Sequence, residues 1–182
     1  MMKNKLLTLC LVATMTLSLV ACGNSNDTKV IESNNTPQTS GSEQAASTQA
    51  GYVFNYDGMD IPVDADVAPI IDKLGEPSNY FESPSCAADG IGKLYTYSDF
   101  EIQTYPDGDV DKVLYVMLRT DNVATAEGID LSSSREDIVG AYGQATEEDS
   151  SSMKYQKGDM TLVFIFDGDS LISIEYDSAM NK

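Results

Sequence analysis

Three aspartates at alternate positions, Asp107, Asp109 and Asp111, have the spacing with which a calcium-binding loop begins. Such a loop needs a glycine at its sixth position and a bidentate glutamate at its twelfth, and this chain has Lys112 and Leu118 there. An acidic hairpin tip is therefore the favoured interpretation of the three aspartates. A weak calcium site on the surface is the alternative.

Residues for acid–base and nucleophilic catalysis are scarce. The chain has no histidine, which removes Ser-His-Asp and Cys-His arrangements together with the commonest zinc ligand. Ser151 and Lys154 match the Ser-x-x-Lys of penicillin-binding enzymes, but that serine must begin a helix, and here the tetrapeptide enters a predicted strand. Cys86 has no nearby cation except Lys93, which favours an inert thiol over a reactive or intermolecularly bonded one. We therefore expect no enzymatic activity and no cofactor.

The N-terminus has the features of a bacterial secretion signal, because two lysines precede an apolar run that ends in Leu19-Val20-Ala21-Cys22. This ending resembles the bacterial lipobox, in which a peptidase cuts before the cysteine and a diacylglyceryl group is attached to its sulfur. The resemblance implies a lipoprotein signal peptide at residues 1–21 and lipidation of Cys22, and an ordinary signal peptide that leaves a free thiol is the alternative. The protein would then be anchored by its acyl chains, palmitate among them, to the extracytoplasmic face of a bacterial cell membrane.

The composition after Cys22 is acidic. The whole chain has 11 lysines and arginines against 29 aspartates and glutamates, a formal net charge of −18. Such a surface repels phosphate backbones, so nucleic acid is excluded as a partner. Residues 22–51 have few large apolar side chains and many Ser, Thr, Asn and Gln, which predicts a lipid-anchored disordered linker.

Residues 52–182 predict one globular domain with two halves, residues 52–120 and 121–182. Each half has a short amphipathic segment that predicts a helix, followed by three runs that alternate apolar and polar residues. The predicted strands are 93–98, 100–105, 113–119, 153–157, 160–166 and 171–176. We therefore expect an α+β fold of two tandem repeats, each a helix plus a three-stranded antiparallel meander, which form a two-layer helix-on-sheet domain.

Residues 128–143 follow the pattern Gly-Ile-x-Leu-x-x-Ser-x-x-Asp-Ile-x-x-x-Tyr-Gly. This pattern, duplicated in part in the first half and placed after a lipobox, resembles the β-lactamase-inhibitor-protein-like superfamily and the related small lipoprotein of outer-membrane β-barrel assembly. The resemblance implies a domain that binds protein partners through a sheet face and its loops. It implies no contact residues here, because no partner-binding motif is matched.

Tyrosines at strand positions are the candidate contact residues, since tyrosine combines rigid contact area with a polar tip. The candidates are Tyr95, Tyr97, Tyr105 and Tyr115. The favoured function is a membrane-anchored, non-catalytic module that binds an unidentified protein or cell-envelope ligand. The alternative is a lipoprotein that binds a small ligand or calcium with its acidic loops.

Overall fold

Long strands with alternating apolar and polar residues form most of the structure. The computed structural model describes residues 51–181. In chain order the elements are β1 (Phe54–Tyr56), β2 (Met59–Ile61), α1 (Ala68–Leu74), β3 (Asn79–Pro84), β4 (Ile91–Thr96), β5 (Phe100–Asp107), β6 (Val110–Leu118), α2 (Arg135–Tyr142), β7 (Glu147–Glu148), β8 (Ser152–Lys157), β9 (Met160–Asp167) and β10 (Ser170–Ser178).

Eight of the strands form one antiparallel sheet in the order β3-β4-β5-β6-β10-β9-β8-β7. Two meanders of four strands therefore meet where β6 pairs with β10, with Leu118 opposite Ile174 and Val116 opposite Tyr176. Strands β1 and β2 form a separate hairpin, whose turn residues Asp57 and Gly58 both have positive φ values of 50° and 78°. An Asp-Gly pair suits this turn because both central residues of a type I′ turn need positive φ.

The hydrophobic core lies on one face of the sheet. Every second residue of the central strands points into it, including Phe100, Ile102 and Ile174, each fully buried. The β1–β2 hairpin and the two helices pack on the same face, and the rings of Phe54 and Phe100 meet at 5.2 Å between centroids. The core is therefore enclosed between the sheet and a cover made of the hairpin, the helices and the loops around them.

The two helices are short. Helix α1 has seven residues and α2 has eight, and each has one buried apolar residue, Ile70 and Ile138. A capping box begins α2, in which Ser134 and Asp137 satisfy each other's backbone N–H groups. Helices of two turns are marginal in isolation, so both depend on packing against the sheet.

The predicted fold class, an α+β domain of two tandem helix-plus-three-stranded-meander repeats in two helix-on-sheet layers, is wrong. The described residues are mostly β, with an eight-stranded sheet, a two-stranded sheet and only two short helices. The two amphipathic segments predict a layer of helices. Each forms a helix of only two turns with one buried residue, so they do not form a layer. Strands β3 and β7 and the β1–β2 hairpin were not predicted either.

The predictions for the N-terminal 51 residues concern a part of the chain that the structure hardly describes. The predicted signal peptide at residues 1–21, the lipidation site Cys22 and all but the last residue of the linker at 22–51 lie outside the described residues. Within residues 51–181, no helix combines the length and the apolar character needed to cross a bilayer.

Candidate functional site

The face of the eight-stranded sheet opposite to the core is the candidate site, and we call it the open face. The helices and the β1–β2 hairpin pack on the core side, so none of these elements covers the open face. Strand pairing aligns one row of its side chains across the sheet, from Glu101 through Met117, Glu175 and Val163 to Lys154. The open face comprises Phe81, Leu94, Glu101, Gln103, Tyr115, Met117, Lys154, Thr161, Val163, Ile165, Glu175 and Asp177.

Three carboxylates occupy the middle of the open face. Glu101 is only 7 % exposed, and it accepts a hydrogen bond from Arg119 Nη1 at 2.6 Å. The other two, Glu175 and Asp177, alternate on β10 and therefore point to the same side. Burial raises the pKa of Glu175 to about 6, and the nearby charge of Asp177 adds to the effect.

Asp177 has the larger perturbation because its ordinary pKa is lower. Burial raises the pKa of its carboxyl to about 6, although a hydrogen bond from Asn181 Nδ2 at 3.0 Å and the charge of Lys154 act in the opposite direction. Asp177 also lines a groove of about 330 Å³, together with Lys154, Thr161 and Asn181. Neither Glu175 nor Asp177 has a basic partner within 4.0 Å among residues 51–181, so a cation from outside the domain would be favoured there.

Apolar side chains lie on both sides of these carboxylates. Phe81 is 58 % exposed on the edge strand β3, and Leu94 beside it is half-buried. Met117 and Ile165 are also half-buried, on β6 and β9. Aromatic residues and Met are enriched at the cores of protein interfaces, whereas Glu and Asp are depleted there, so only the apolar side chains of the open face match that composition.

The structure divides the four candidate tyrosines between the two faces. Tyr95 and Tyr97 pack against the core, where Tyr97 stacks on Phe100 at 5.1 Å. Tyr105 follows the alternation of β5 on to the open side but is only 6 % exposed, and its hydroxyl donates to Asp64 Oδ1 at 2.8 Å. Burial, followed by this hydrogen bond, raises the pKa of Tyr105. Tyr115 is therefore the one candidate that offers contact area on the open face.

The three aspartates of the predicted calcium loop do not converge. Asp111 pairs with Lys93 at 2.5 Å, and Asp107 pairs with Lys112 at 2.6 Å. Asp109 is exposed at the tip of the β5–β6 hairpin. Among residues 51–181, no group of three or more His, Cys, Asp or Glu side chains is arranged to hold a metal ion.

The remaining reactive residues do not form a catalytic arrangement with one another. Ser151 lies in a turn, where its hydroxyl donates to Asp149 Oδ1 at 2.9 Å, and Lys154 lies on β8 near Glu147 at 3.6 Å. A Ser-x-x-Lys site needs both residues on one helix, and these residues are not helical. Cys86 is exposed as a free thiol.

Comparison with protein-family models, curated proteins and solved structures finds no significant match. The function is therefore inferred from the arrangement of the side chains. The open face presents apolar side chains and negative charge.

Sequence reasoning missed Glu175, Asp177 and Met117 as candidate contact residues. The signal was present in the last strand, where Ser173, Glu175 and Asp177 alternate with the apolar Ile174 and Tyr176. Such alternation assigns the acidic residues to the uncovered side of a sheet. It does not reveal that the strand lies at the centre of the sheet, where neighbours bury the carboxylates.

Proposed function

We propose that the protein is a membrane-anchored, non-catalytic lipoprotein that binds a protein partner through the open face. The lipobox ending at Cys22 supports the anchor and the extracytoplasmic location. The open face is the observation that supports the binding function. It combines the exposed Phe81 and half-buried apolar side chains with two half-buried carboxylates that have no basic partner within residues 51–181.

The size of the open face suits a protein. Seven spacings between neighbouring strands give a width of about 34 Å, and a six-residue strand is about 20 Å long. The resulting area of roughly 700 Å² is close to the roughly 800 Å² that one partner contributes to a standard protein interface.

Charge indicates the chemistry of the partner. The chain has a formal net charge of −18, and the centre of the open face presents Glu175 and Asp177. A lysine or arginine placed between them would stabilise their ionised forms and lower both pKa values. A partner surface that presents basic residues is therefore favoured, and its association rate should fall as the salt concentration rises.

Affinity purification of the full-length protein from its native membranes tests this function. We expect a partner that is retained by the wild type and lost when Met117 and Ile165 are both replaced by glutamate. The control is Val110→Glu, which places the same residue type at an exposed apolar position on the β5–β6 hairpin. Equal recovery of partners by all three proteins would contradict the proposal.

A further inference from the structure

The two outer strands of the sheet differ in a way that points to a second binding mode. Strand β7 is two residues long and consists of Glu147 and Glu148, and a short, charged strand is a common protection against edge-to-edge pairing. Strand β3 is six residues long, and its Tyr80 and Phe81 are 46 % and 58 % exposed. Strand β3 is therefore a longer and more apolar edge than β7, and its protective residues are Glu82 and Pro84.

The hydrogen-bonding groups available on β3 follow from its register. Ser85 N–H donates to the Gly90 carbonyl at 2.9 Å, and the same register continues through β3 and β4. Antiparallel pairs alternate between bonded and non-bonded, so Asn79, Phe81 and Ser83 face β4. The backbone N–H and C=O groups of Tyr80 and Glu82 face outward, where no residue in the range 51–181 pairs with them.

We propose that β3 is a strand-addition site for an extended segment of a partner protein that carries lysine or arginine side chains. Main-chain hydrogen bonds to Tyr80 and Glu82 would give affinity, as in other cases of β-augmentation. The exposed rings of Tyr80 and Phe81 lie on opposite faces of the strand, so an alternating segment contacts one with each set of its side chains.

Charge determines the choice of occupant. The carboxylate of Glu82 lies at the middle of β3, where it accepts a hydrogen bond from the Tyr80 hydroxyl. Its neighbour on β4 is Lys93, which is paired with Asp111, and a cationic residue beside Glu82 on the added strand would be stabilised. A second copy of this chain would bring another net charge of −18 to the contact. A basic segment of a different protein is therefore the occupant. This inference rests on the proposed function only in that the ligand is a protein.

The test uses full-length protein in lipid nanodiscs and a phage-displayed library of random dodecapeptides as the probe. The variant is Glu82→Pro. Proline has no backbone N–H, so the substitution removes one outward donor, and proline is tolerated on edge strands. The matched control is Glu148→Pro on β7, whose N–H also faces outward, since Asp149 N–H donates to the Ser152 carbonyl and Glu147 is paired with Lys154.

We expect enriched peptides with alternating apolar and basic residues, whose affinity falls about tenfold or more on Glu82→Pro and stays unchanged on Glu148→Pro. N-methylation of one alternate set of peptide amides should abolish binding, and N-methylation of the other set should spare it. This second measurement leaves the protein unchanged, so it holds even if the proline variant is destabilised.

Failure to enrich any peptide, equal loss on both proline variants, or insensitivity to N-methylation would overturn the proposal. A dimer seen by sedimentation and lost in Glu82→Pro would assign β3 to a second copy and would also overturn it. Peptides that bind Glu82→Pro normally but fail on the Met117→Glu, Ile165→Glu variant would remove the edge site while leaving the open-face function intact.

Discussion

Replacing Asp177 with asparagine should stabilise the domain at neutral pH. Burial on the open face raises the pKa of this carboxyl from 3.8 to about 6. In the unfolded chain the carboxyl ionises near pH 4, so between about pH 4 and pH 6 the folded state binds more protons. The free energy of unfolding therefore falls as the pH rises through this range, and the full destabilisation is present above about pH 6.

The size of the effect follows from the difference in pKa. A difference of one in pKa is worth about 1.4 kcal/mol, so ionised Asp177 destabilises the folded state by at most about 3 kcal/mol. Asparagine keeps an acceptor for the hydrogen bond from Asn181, and solvent screens part of the charge at this half-buried position. We expect a gain of about 1 to 2 kcal/mol at pH 7.5 and little gain at pH 3.5.

Urea unfolding followed by far-UV circular dichroism measures this gain at each pH. The control is Asp121→Asn, which removes the same charge at an exposed loop position and reports the general benefit of reducing a net charge of −18. If Asp177→Asn gains no more than the control, or gains equally at both pH values, burial of the carboxylate on the open face does not destabilise the protein and the reasoning fails.

Three further predictions concern other parts of the molecule. Cys22→Ser should move the protein from the membrane to the soluble fraction as a folded domain, with loss of acyl labelling, and an unfolded or still membrane-bound product would contradict the separation of anchor from domain. Calcium at 100 times a weak site's Kd would stabilise by about 2.7 kcal/mol, whereas we expect no shift in Tm, because lysines pair with two of the three aspartates in the hairpin. Ser134→Ala removes the cap of α2 and should lower stability by about 1 kcal/mol in urea unfolding, and an unchanged midpoint would show that the cap contributes nothing.

Local patterns predicted many of the elements. Alternation between residues 100–118 and 153–178 predicts the long strands to within a few residues, and the glycines Gly75 and Gly143 directly follow the two helices. Ser133 and Glu136 have the spacing of a capping box, whereas the structure forms the box one residue later, between Ser134 and Asp137. Short-range hydrogen bonding determines these features, and the residue types that form those bonds are visible in the sequence.

The pairing of strands that are distant in the chain could not be predicted from the sequence. Nothing local indicates that β6 pairs with β10, which places Glu175 and Asp177 at the centre of one continuous sheet. The same holds for the outer strand β3, whose composition, Asn-Tyr-Phe-Glu-Ser-Pro, lacks a clear alternation. The fold class failed for a related reason, since the area that a short helix buries depends on its partners and cannot be judged from its own periodicity.

The candidate tyrosines show how burial and face must be known together. Tyr105 alternates with Phe100 along β5 and falls on the side of Glu101, yet neighbouring side chains bury its ring. Tyr95 and Tyr97 point to the core side because the register of β4 against β5 pairs Tyr95 with Ile102. Their types and spacing alone did not distinguish core packing from recognition.

Site-resolved photo-crosslinking tests whether the open face binds a protein partner. A benzophenone amino acid is introduced at Met117 on the open face, and in separate proteins at Lys73 on α1, and each is irradiated in native membranes. We expect one discrete protein adduct from position 117 that is absent from position 73 and weakens as salt is added. Adducts of equal yield from both positions, or none from position 117, would contradict this prediction.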